Sequence, residues 1–258
     1  MLRLGEISGT APVPVDGGPA LAVSWHALTD VGHRRSLNED SLLALAPVFA
    51  VADGMGGHDS GDVASAAVVR RLGELASDGL TAIEDLNRAL VQATLDIREG
   101  EVVGGRGSGT TVTGAAFVVE EGNPYLAVFN LGDSRVYAAE GDDFARVTVD
   151  HSVVQAMVDA GMITEDEAEH HPDSNVITRA IGFEDDPQPD VWLIPLRAGI
   201  RLLICSDGLT KELRDDWIRM HATAGFSAEA TAQALLDAAL DAGGRDNVTL
   251  IVLDLHEA

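Results

Sequence analysis

Cysteine and lysine are almost missing: Cys205 and Lys211 each stand alone in 258 residues. A single thiol excludes an intramolecular disulfide, and Cys205 lies in an apolar stretch, so nothing points to an oxidising compartment. Bases are scarce too, 17 against 42 acids, for a formal net charge of -25. Such a field argues against nucleic acid or an anionic membrane as a general partner, and the acidity reads as solubility or a salty cytoplasm. Long hydrophobic runs are also lacking. The longest, Leu42 to Ala52, contains Pro47 and falls short of the roughly 20 residues that a membrane span requires.

Three further absences narrow the chemistry. Residues 1–20 have no basic region followed by an apolar stretch, so they are expected to form a flexible leader, not a signal peptide, in a cytoplasmic protein. His151, His170 and His171 have no zinc-like spacing and suit surface or capping roles. The glycine-rich stretch 104–109 lacks the Gly-Lys-Ser/Thr ending of a phosphate loop.

What is present is a recurring pattern. Val48 to Ala52 is uncharged, as a strand buried on both faces would be, and it stops at Asp53-Gly54. Arg201 to Cys205 stops at Ser206-Asp207-Gly208, Tyr125 to Leu131 at Gly132-Asp133-Ser134, and Asp246 stands just before the strand 248–255. Asp-Gly alone is a common turn, so spacing leaves two readings: four independent turns, or one shared site. Gathered carboxylates repel one another unless a cation neutralises them, and an oxygen-only donor set favours Mg²⁺ or Mn²⁺ over Zn²⁺.

A hydrophobic content of 46% supplies a full core, and no composition break divides the chain, so residues 21–258 are expected to form one domain. Strands are expected at 21–28, 41–45, 48–52, 110–119, 125–131, 135–139, 191–196, 200–205 and 248–255. Short connections suggest antiparallel neighbours, with 191–196 and 200–205 as a hairpin-like pair. Two amphipathic helices follow the glycines, the first capped by Asp59 or Ser60 and the second opened by a capping box at Thr81. Residues 150–182 hold two small capped helices, the texture of a mobile flap beside a site. Another helix, 227–242, ends at Gly243-Gly244.

These motifs together resemble the metal-dependent protein serine/threonine phosphatases of the type 2C family, and look most like its bacterial branch. The resemblance rests on D-V-G-H-R-R-S-L-N-E-D (30–40), V-A-D-G-M-G-G-H (51–58), G-T-T (109–111), N-L-G-D-S-R (130–135), D-H-S (150–152), T-R-A-I-G (178–182), C-S-D-G-L (205–209) and G-R-D-N-V-T (244–249). Each is weak alone; eight in order are specific.

The resemblance implies an α+β fold: a four-layer α-β-β-α sandwich of two antiparallel sheets flanked by helices, with a metal centre at one edge. Asp53 would bridge two Mn²⁺ or Mg²⁺ ions, Gly54 would offer its carbonyl, and Asp207 and Asp246 would hold the other ion. Asp133, with Asp207, matches the position of a third, weaker ion. Glu39 and Asp40 would hold metal-bound waters, and Arg35 would bind phosphate. The implied reaction is hydrolysis of phosphoserine and phosphothreonine by direct attack of a metal-activated water. The general acid is His58 or a metal-bound water, since Met55 stands where eukaryotic relatives have a histidine. Lys211 stands where bacterial relatives commonly have an acid, with no role assigned. The implied partners are phosphoproteins made by a serine/threonine kinase, including the kinase itself, and the enzyme is expected to be monomeric. Two other readings are weighed: a catalytically inactive member acting as a regulatory binding module, and a structural cation-binding domain, which leaves Arg35 unexplained.

Overall fold

A computed structural model describes residues 1–13, 20–56, 60–78, 82–101 and 107–258. In chain order the elements are β1 (Arg3–Gly5), β2 (Ser8–Pro12), β3 (Leu21–Asp30), β4 (Ser41–Leu45), β5 (Val48–Ala52), β6 (Gly54–Met55), α1 (Gly61–Asp78), α2 (Ile83–Glu101), β7 (Gly109–Thr110), β8 (Val112–Glu120), β9 (Asn123–Leu131), β10 (Arg135–Glu140) and β11 (Asp143–Arg146). There follow α3 (Val153–Asp159), α4 (Glu165–Glu169), β12 (Asp190–Pro195), β13 (Ile200–Cys205), α5 (Asp207–Thr210), α6 (Asp215–Ala222), α7 (Ala228–Ala242) and β14 (Val248–Glu257). Among the described residues no helix is long and apolar enough to cross a membrane.

Two six-stranded sheets form the centre, one ordered β1-β4-β5-β8-β9-β12 and the other β11-β10-β13-β14-β3-β2. The alternation of β5 shows how the layers arise. Val48, Ala50 and Ala52 face α1 and α2, while Phe49 and Val51 join the core between the sheets with Leu202, Ile204 and Ile251. On the far side Leu203, Cys205 and Val252 pack against Leu235, Leu236 and Ala239 of α7. The result is the expected four-layer sandwich. Its pairing is antiparallel except for β1, which runs parallel to β4.

Two expectations are corrected. Residues 3–12 are not a loose leader: β1 pairs with β4 and β2 with β3, each covering a sheet edge that would otherwise leave backbone groups unpaired. Strands 191–196 and 200–205 are not a hairpin, because β12 pairs with β9 in one sheet whereas β13 pairs with β10 and β14 in the other. The chain likewise changes sheet between β9 and β10. Gly132 makes that crossing at φ 125°, and a Cβ there would come within 2.5 Å of Thr111 Cγ2. Asp133 is thereby set into the seam between the sheets.

Candidate metal centre

Register places the aspartates at one end of the sandwich. In the first sheet Ser41 pairs with Ala52, and Val112 with Leu131. In the second, Arg135 pairs with Cys205 and Val248 with Asp30. The residues just beyond those pairs, Asp40, Asp53, Asp133, Asp207 and Asp246, therefore converge on the same edge. The electrostatics agree: burial, then the charges of Asp40, Asp207, Asp133 and Asp246, push the Asp53 carboxyl well above its ordinary pKa. The acids thus lie near enough to act on one another, as neighbours on one edge and not as isolated turns.

Each acid is held by named contacts. The Asp53 carbonyl accepts from Thr111 N–H and Thr110 Oγ1, both at 2.9 Å. Thr111 Oγ1 takes the Asp53 N–H at 3.1 Å and lies 2.9 Å from Ser134 Oγ, joining the Asp53 and Asp133 strand ends. Asp40 Oδ2 accepts from Ser206 Oγ at 2.9 Å and Thr249 Oγ1 at 2.6 Å. Burial raises the Asp40 pKa to about 7, against those two hydrogen bonds. Burial and then Asp207 raise Asp133 likewise to about 7.

The loop 31–40 is clamped by Asn247, which is buried. Its Nδ2 donates to Val31 O and Leu37 O, both at 3.0 Å, and its Oδ1 accepts from Glu39 N–H at 2.8 Å. Arg35 is thus brought to the edge, where its fork meets Asp246 twice, Nε to Oδ1 at 2.8 Å and Nη2 to Oδ2 at 2.9 Å. Arg34 is exposed. Glu39 reaches the start of α1, where a Cβ on Gly61 would meet its Oε1 at 2.5 Å.

Whether a hard cation fits can be read from the donors. Asp207 Oδ1 and Asp40 Oδ1 are buried with no hydrogen-bond partner among the described residues, a costly state unless a cation engages the edge. A Cβ on Gly54 would lie 2.1 Å from Gly61 O and 2.6 Å from Glu39 O, so only glycine lets this backbone come so close. Among the described residues no three acidic, histidine or cysteine side chains close around one point. Mg²⁺-like sites commonly take one or two carboxylates and fill the rest with water, so this donor set fits.

Other sequence-predicted residues fare differently. His58 and the caps at Asp59 and Thr81 lie outside the described residues. His170 and His171 do make local contacts, with Asp166 O and Asp173 N–H. His151 is neither surface nor cap: it is buried, its Nδ1 accepts from Gly132 N–H at 3.1 Å, and its Nε2 lies 3.2 Å from Asp190 Oδ2. His151 anchors one end of segment 150–182 beside Asp133, while the bridge between Ile181 and Thr110 anchors the other beside Asp53. Ser152 caps α3 and a capping box at Thr164 opens α4, giving the two small capped helices expected there. Sequence reasoning missed Asn247, Ser206 and Thr249 as organisers of the edge, although each lies inside a motif already singled out.

An acidic oxygen-donor edge in the seam of a four-layer sandwich is the class that fold and site define. Residues 32–242 match the family model for protein phosphatase 2C, and the chain belongs to that family. It is 35% identical over 244 residues to protein phosphatase PhpP of Streptococcus pneumoniae, covering 89% of this chain and 96% of the relative. It is 36% identical over 243 residues to serine/threonine protein phosphatase PstP of Mycobacterium tuberculosis, covering 91% of this chain but only 45% of PstP. The crystal structure of the Mycobacterium tuberculosis phosphatase PstP/Ppp matches with TM-score 0.83 at 38% identity, over 91% of this chain and 99% of that one. The PstP catalytic domain in complex with two manganese ions matches with TM-score 0.81 at 35% identity, over 92% and 99%.

Proposed function

We propose that the chain is a manganese- or magnesium-dependent phosphoprotein phosphatase acting on phosphoserine and phosphothreonine. The observation that carries this is the convergence of Asp53, Asp133, Asp207 and Asp246 on one edge with Arg35 beside them, in a chain of the protein phosphatase 2C family. An inactive member would have no use for that arginine beside a complete set of aspartates.

Asp53 and the Gly54 carbonyl would hold one ion, with Asp53 shared to a second held by Asp207 and Asp246; a third, were one bound, would fall to Asp133 with Asp207, whose Oδ2 already meets Lys211 Nζ. Bound there, the ions supply an acidified water and neutralise phosphoryl charge. Glu39 and Asp40 would orient water at the edge. Arg35 is suited to the phosphoryl group because two of its oxygens match the paired oxygens that the fork grips on Asp246. His58 or a water would protonate the leaving oxygen. No phosphoenzyme is invoked: Cys205 is buried in the core facing α7. The sandwich, with β1 and β2 included, acts as one catalytic domain, with segment 150–182 setting the choice among phosphoproteins made by a serine/threonine kinase, the kinase itself included.

Arginine substitution tests the phosphate role. Arg35→Ala is expected to lower kcat/KM on a phosphopeptide by about 1.5–3 kcal/mol, the worth of a hydrogen bond to a charged group, or roughly tenfold to a hundredfold. Arg34→Ala should change little, and both variants should bind Mn²⁺, since neither residue is a ligand. Equal impairment of the two would remove Arg35 from its role and shift the assignments of Glu39 and Asp40 with it.

A further inference from the structure

Lys211, the only lysine, is placed in the acidic edge. It caps α5 four residues after Asp207, so the two side chains share a helix face. Its Nζ forms an ion pair with Asp207 Oδ2, and the two side chains are 36% and 12% exposed. The backbone beneath is fixed from both sides. Lys211 N–H donates to Asp207 O at 2.8 Å, and Arg245 Nη2 donates to Lys211 O at 3.1 Å. The same Arg245 holds Glu212, whose side chain is almost wholly buried.

Asp207 divides its two oxygens: Oδ2 meets the ammonium, while Oδ1 is buried with no hydrogen-bond partner among the described residues. One oxygen is left for a divalent ion. Asp133 and Asp53 also lie in the field of Lys211; burial works against the ammonium, but these acids, with Asp207 foremost, keep its pKa above the ordinary lysine value. At Asp133, where Asp207 and Asp150 oppose ionisation, Lys211 favours it.

We propose that Lys211 is a resident cation of this edge, filling the corner between Asp207 and Asp133 and so excluding a third divalent ion from it. The inference rests on the two-ion reading above. A fixed ammonium supplies its charge without loading from solution, so the number of bound ions should stay at two as Mn²⁺ is raised. A third divalent ion would have to displace Nζ from Asp207 and leave a cation facing it.

The test counts Mn²⁺ per chain by equilibrium dialysis, up to millimolar free Mn²⁺. Wild type and Lys211→Arg are expected to saturate at two ions, and Lys211→Met to take a third with a dissociation constant at least tenfold below any third-site binding by wild type. Metal-free Lys211→Met should also melt below wild type, because the acids lose their cation. Should that variant fail to fold, Lys211→Gln, which keeps a polar side chain, carries the same readouts. A third ion bound equally well by wild type and the neutral variants, or neutral variants that stop at two, would overturn the proposal. No Mn²⁺ on any of the proteins would overturn the metal reading itself, and this inference with it.

Discussion

Asp207→Asn is expected to lower kcat/KM on a phosphopeptide by on the order of 10³-fold, the several kcal/mol that a metal ion contributes to transition-state charge stabilisation. The cause is specific to position. Asp207 opens α5 at the end of β13, is buried, and has one oxygen facing the edge with no partner among the described residues. The amide has a similar shape but removes the negative charge and puts a donor where a cation should sit. The metal-free protein should remain folded, because losing one acid also relieves the repulsion felt by Asp53 and Asp133. Calorimetric titration should therefore show weakened Mn²⁺ binding to a folded protein; wild-type affinity in this variant would withdraw Asp207 as a ligand.

A second large effect is expected from one methyl group at Gly208. An added Cβ would lie 1.9 Å from Asn247 O and 3.5 Å from Asp246 Cβ. Neither α5 nor the turn at 246–247 can give way cheaply. Asn247 clamps loop 31–40, and Asp207 on α5 must stay opposite Asp246. Gly208→Ala should cost about 1–3 kcal/mol of overpacking, which in a chain of this size is a fall in Tm of roughly 2–12 °C. It should also weaken Mn²⁺ binding, since the shift parts the two acids. Gly100→Ala is the control: nothing lies within 4 Å of a Cβ there, and alanine is the better helix former in α2. A Gly208→Ala protein as stable and as metal-competent as wild type would show that this close approach does not position the edge.

The sequence made some of this legible and hid the rest for physical reasons. Val48 to Ala52 reads correctly because a five-residue run buried on both faces must be uncharged throughout, and the structure buries all five. The strand-end aspartates are legible because each acid lies within two residues of an apolar run, Asp53, Asp133 and Asp207 after theirs and Asp246 before the strand 248–255. Sheet membership was not legible: the connections 132–134 and 196–199 are as short as hairpin turns, yet each carries the chain from one sheet to the other. Gly132, held against Thr111 at positive φ, makes the first crossing, and the resulting partner is set by tertiary packing instead of loop length. β1 and β2 were missed because they are short and pair through backbone groups at sheet edges, without an apolar stripe to announce them. His151 and Lys211 were misjudged or left without a role for a related reason. The partners of His151, Gly132 and Asp190, are far away in the chain, and the ion pair of Lys211 spans a helix too short to show periodicity.

The most direct measurement of the central claim is phosphate release from a phosphothreonine peptide by the purified protein, first after exhaustive chelation and then with Mn²⁺ or Mg²⁺ restored. The account predicts that release stops on chelation and returns with either ion, because the acids that meet at the edge are oxygen donors and need a cation to share the space. Undiminished hydrolysis after complete metal removal would contradict it.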